Sequence, residues 1–69
     1  MSPEEKEILS RQEEIESELR ALFKANMKIS DWDIPEADDD KLAQLLVDVM
    51  QKALDKIKQE VKEGKYHNY

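Results

Sequence analysis

Between Pro3 and Pro35 the chain runs for 31 residues without a glycine or a proline, and from Glu36 to Glu63 it runs for another 28. Proline interrupts a helix by removing a donor and clashing with the preceding turn, and glycine does so through its conformational freedom. Their absence over two long stretches points to two helices. "SPEEKEI" is a strong start for the first. Ser2 can cap, Pro3 suits the first helical position, and Glu4 and Glu5 favour the positive end of the helix dipole.

The apolar spacing supports the same reading. Ile8, Gln12, Ile15, Leu19, Leu22, Asn26 and Ile29 follow one another in steps of 4, 3, 4, 3, 4, 3. That is a heptad seam, with Ile8, Ile15, Leu22 and Ile29 at d and Gln12, Leu19 and Asn26 at a. The polar residues at a either set register and partner number or lie solvated near frayed ends. In the second stretch Leu42, Leu46, Val49, Ala53, Ile57 and Val61 mark the seam, and Leu45, Met50 and Leu54 widen it on one side. Gly64 is placed to end that helix in the left-handed region. The expected organisation is a single helical-hairpin domain over 1–69. It has a helix at 3–29, an acidic turn at 30–38, a helix at 39–63 and a loosely ordered tail at 64–69.

Charge placement carries more than total charge. The formal net charge is −6, and residues 31–40, "DWDIPEADDD", hold six acids and no base. Outside them acids and bases balance at eleven each. Balanced flanks read as solvated helix faces with i, i+4 pairs such as Glu7–Arg11, Glu16–Arg20 and Asp48–Lys52. No basic stripe is present, so direct nucleic-acid binding is not expected. No apolar run is longer than that from Leu45 to Val47, too short to cross a bilayer. The polar helix faces lack the cationic excess of a membrane-surface helix. The acidic N-terminus does not resemble a signal peptide. The expectation is a soluble, cytoplasmic protein.

Several chemistries lack their parts. There is no cysteine and only one histidine, His67, so disulfides, thiolate metal sites and histidine clusters are ruled out. No nucleophile–base pair, phosphate-cradling loop or oxyanion loop is visible, and no enzyme activity or cofactor is expected. Asp31 and Asp33 have the spacing of the first two ligands of an EF-hand loop. The match then fails, with Pro35 at the third ligand position, Glu36 where glycine is required and Leu42 where the bidentate glutamate belongs. No metal site is expected.

The acidic segment admits two readings. Pro35 pushes Ile34 toward extended backbone, and Asp38, Asp39 and Asp40 stand where a helix cap and first-turn acids belong. Trp32 and Ile34 could then fold over the end of the hairpin and shield Ile29 and Leu42 or Leu45. Alternatively Trp32, Ile34, Asp31, Asp33, Asp38, Asp39 and Asp40 form a partner-binding segment, an aromatic anchor with steering charges for a basic protein.

A chain of 69 residues is near the lower limit for a self-sufficient core, and a lone hairpin covers only one stripe of each helix. The expected architecture is all-α, an antiparallel two-helix hairpin that homodimerises into a four-helix bundle and works by protein–protein contact. Its core and dimer face would be Ile8, Ile15, Leu19, Leu22, Leu42, Leu46, Val49, Ala53 and Ile57. Two alternatives stand beside it. One is an acidic decoy that mimics nucleic acid toward a basic protein. The other is an obligate subunit or co-chaperone of a hetero-complex.

Overall fold

The computed structural model describes residues 1–69 and is all-helical, with 78% of the chain in three α-helices and no strand. These are α1 (Pro3–Ser10), α2 (Gln12–Asp33) and α3 (Asp39–Lys62). None is long and apolar enough to cross a membrane.

Each terminus has an identifiable local cause. At the start of α1 the Ser2 hydroxyl accepts from the Glu5 amide at 3.1 Å, and the Glu5 carboxylate accepts from the Ser2 amide at 3.3 Å. This reciprocal capping box satisfies two donors that a bare helix end would leave without an intrahelical partner. At the start of α3 the Asp38 carboxylate accepts from the amides of Asp40 at 2.9 Å and Lys41 at 3.4 Å. At its end Gly64 takes φ 77°, the left-handed region in which a side chain is strained. The Lys65 amide donates to the Glu60 carbonyl and the Gly64 amide to the Val61 carbonyl, both at 3.1 Å. That pair of bonds is a Schellman closure. The tail, expected to be loose, folds back on the helix it follows. The Tyr66 hydroxyl donates to the Glu60 carboxylate, and its ring meets that of Tyr69 edge-on at 6.0 Å.

The first helix differs from expectation at both ends. It is divided at Arg11, whose φ −107° and ψ 9° leave helical geometry. Neither glycine nor proline is responsible. The Ser10 hydroxyl donates to the Glu7 carbonyl at 2.7 Å, and the Arg11 amide turns to Ile8 instead, at 3.1 Å. In an unbroken α-helix Arg11 would bond Glu7, and the serine side chain competes for that same acceptor. At the other end α2 continues to Asp33 and stops at Ile34, the residue before Pro35, which is extended at φ −133°, ψ 79°. Nothing in residues 30–33 opposes a helix. The expected turn of 30–38 therefore shrinks to 34–38, and Asp31, Trp32 and Asp33 are helical.

The helices α2 and α3 touch beside this turn. Phe23, Asn26, Met27, Ser30 and Asp31 of α2 and Leu42, Ala43, Leu46 and Met50 of α3 are half-buried there. Farther from the turn both helices are exposed. The molecule is elongated, 49 × 26 × 17 Å, and no residue is buried. Of the nine expected core residues only Leu42 and Leu46 are half-buried, while Ile8, Ile15, Leu19, Leu22, Val49, Ala53 and Ile57 are exposed. The expected ion pairs Glu7–Arg11, Glu16–Arg20 and Asp48–Lys52 are not made. Arg11 instead meets Glu14 at 3.5 Å, and Lys65 meets Glu63 at 3.4 Å. Exposed pairs gain little over hydration, so nothing compels the helical partners to close.

The cause assigned to the break can be tested. Ser10→Ala removes the competing hydroxyl and substitutes a better helix former by roughly 0.5 kcal/mol. Ellipticity at 222 nm should rise by a few per cent as α1 and α2 join. Unchanged ellipticity would mean that the break has another origin.

Candidate interaction surface

The contact row of α2 is not the heptad seam of the sequence. Phe23, Met27 and Ser30 follow one another by 4 and 3, and Glu16 and Arg20 extend the same row toward the N-terminus. This row is the expected seam moved on by one residue. Beside the turn the half-buried residues of α2 are this row's Phe23, Met27 and Ser30 together with Asn26 and Asp31, while Ile15, Leu19, Leu22 and Ile29 of the seam are exposed. Leu19 and Leu22 are 53% and 55% exposed. In α3 the face turned to α2 keeps Leu42, Leu46, Ala53 and Ile57 of the expected seam and adds Ala43, Met50 and Leu54 beside it. Val49, on the expected seam, is 64% exposed. The widening by Met50 and Leu54 was the sequence signal for this broader face. Phe23 and Met27 stand beside the expected seam, as apolar residues adjoining it, in a row that also contains Glu16, Arg20 and Ser30.

Beyond Phe23 and Met50 the space between α2 and α3 opens into a cleft of about 700 Å³. One wall is Ile15, Leu19, Leu22 and Phe23, and the other is Val47, Met50, Ala53, Leu54 and Ile57. Glu16, Arg20 and Gln51 are its only polar lining. The structure thus brings five of the expected face residues to one cleft, namely Ile15, Leu19, Leu22, Ala53 and Ile57. Ile8 lies apart on α1, Val49 points elsewhere, and Leu42 and Leu46 belong to the contact near the turn.

The acidic segment is divided by the fold. Asp31, Trp32 and Asp33 form the last turn of α2, Ile34 ends it, and Asp38, Asp39 and Asp40 begin α3. Trp32 is 85% exposed and covers neither Ile29 nor Leu42. The packing role expected for it is therefore not taken, because extension of the helix through Asp33 carries the indole outward. No three acids converge as a cation site would require. Asp31 and Asp39 do meet across the turn. A hydrogen bond with Asp31, followed by the repulsion of its charge, raises the pKa of the Asp39 carboxyl above the usual carboxylate value.

No protein-family model, curated protein or solved structure matches the chain.

The Asp31–Asp39 approach has a signed consequence. A carboxyl whose pKa is raised by folding adds stability below its unfolded pKa and loses it as pH rises through the folded value. Asp39→Asn should therefore gain melting temperature relative to the parent at pH 7 and show little difference at pH 3. An equal offset at both pH values would place the repulsion elsewhere.

Proposed function

We propose that the chain is a non-catalytic protein–protein interaction module, a helical hairpin that completes its core by pairing with a second copy as a four-helix bundle. The observation that carries this reading is the surface left in water. A folded chain of 8.1 kDa ordinarily exposes about 4,500 Å². This chain exposes 6429 Å². The excess is roughly 1,900 Å², and covering it on two copies gives an interface of about 3,800 Å², within the range of obligate homodimers. The exposed apolar surface is also continuous, since the heptad seam of α2 and the cleft beside it adjoin. Contiguous exposed apolar surface is characteristic of an association site.

A second reading rests on Trp32. An exposed tryptophan flanked by Asp31, Asp33 and Ile34 offers an anchor and steering charge to a basic protein partner, and it remains available after the cleft has been covered.

The test is sedimentation equilibrium over a wide concentration range with thermal melts at each concentration. A dimer is expected, with a melting temperature that rises with concentration. Leu54→Asp, which would place a charge in the apolar interface, should weaken it at least about a hundredfold. A folded monomer whose melting temperature is independent of concentration would overturn the reading.

A further inference from the structure

We infer that the second copy packs antiparallel, about a two-fold axis near Leu19 and Ala53, so that each copy closes the other's cleft and the two acidic turns stand at opposite ends. This orientation rests on the self-association proposed above; of three observations the first places the overlap, and the other two favour the antiparallel sense over the parallel one.

The first is where the uncovered surface lies. Beside the turn, α2 and α3 already cover each other through Phe23, Met27, Leu46 and Met50. The open apolar walls are farther along, at Ile15 to Leu22 and at Ala53 to Ile57. Overlap of two copies must therefore centre on the cleft.

The second is net charge. All of the −6 resides in residues 31–40, and the remainder of the chain is balanced. Parallel packing would set twelve carboxylates side by side, within the Debye length of roughly 8 Å at physiological salt. Antiparallel packing separates the two clusters by a distance comparable to the 49 Å long axis, several Debye lengths apart. The flanks, with as many bases as acids, do not oppose a copy of themselves.

The third is the polar lining of the cleft. Glu16 and Arg20 lie one helical turn apart, and Gln51 is neutral. In an isologous pair, residue i of one copy meets j of the other and j meets i. An antiparallel two-fold at this level brings Glu16 of one copy opposite Arg20 of the other, twice. A parallel two-fold brings glutamate to glutamate and arginine to arginine. The lining is self-complementary only in the antiparallel sense.

The chain has no cysteine, so Glu36→Cys in the turn permits a single nitroxide label on each copy. Distances between labels are then read by pulsed dipolar spectroscopy. The expected result is a separation comparable to the 49 Å long axis. A separation below roughly 20 Å, about two helix diameters, would overturn the antiparallel orientation and leave self-association standing. Absence of any dipolar coupling, with a monomer in the centrifuge, would overturn the self-association itself. Charge reversal gives a second measurement. Glu16→Arg and Arg20→Glu should each weaken the homodimer several-fold, and an equal mixture of the two variants should regain parental affinity. Failure of the mixture to recover would remove the assigned pairing.

Discussion

What holds the two long helices together is a short contact beside the turn, where Phe23 and Met27 of α2 lie with Leu46 and Met50 of α3. Each helix closes its own backbone hydrogen bonds, with caps at Ser2 for α1 and at Asp38 and Gly64 for α3, so local structure does not wait on a core. Tertiary structure does. With no residue fully withdrawn from water, the hydrophobic contribution that normally dominates folding is scarcely used within one chain. Pro35 makes the contact available by ending α2 at Ile34, and the tightness of the turn then decides which faces meet. Farther out the helices no longer cover each other, and the cleft results.

The secondary structure was legible in the residues because its signals are local. The cap at Ser2, the aspartate cap at Asp38 and the glycine at 64 each act over a few positions, and each stands where its residue type implied. The break at Arg11 was not legible in this way. It arises from competition between Ser10 and Arg11 for one carbonyl, and a serine inside a helix more often leaves the ladder intact. The helix boundary at Asp33 was missed because the acids after Ser30 read as loop, although only the residue before Pro35 is sterically driven out of the helix.

The faces were legible as amphipathic but not in their rotation. A seam defined by steps of 3 and 4 selects the most apolar row, and in α2 that row runs through Ile15, Leu19 and Leu22. The row half-buried beside the turn is its neighbour, Phe23, Met27 and Ser30, while Ile15, Leu19 and Leu22 line the open cleft. A one-residue shift turns a helix by about 100°. That shift decides whether the strongest heptad in the sequence is spent inside the chain or left for something else. Periodicity identifies a stripe; it does not say which helix will cover it.

The chain contains one tryptophan, and it stands almost free of its surroundings at the end of α2. An indole in that position emits as a solvated fluorophore, and aspartates at 31 and 33 flank it in sequence. Any molecule that comes to rest on that end of the helix will change the emission colour and the access of dissolved quenchers. Closure of the cleft, which lies farther along the helix and does not include Trp32, will change them far less. The protein thus carries its own optical label, built into the sequence at a place that separates occupancy of its acidic end from assembly along its length.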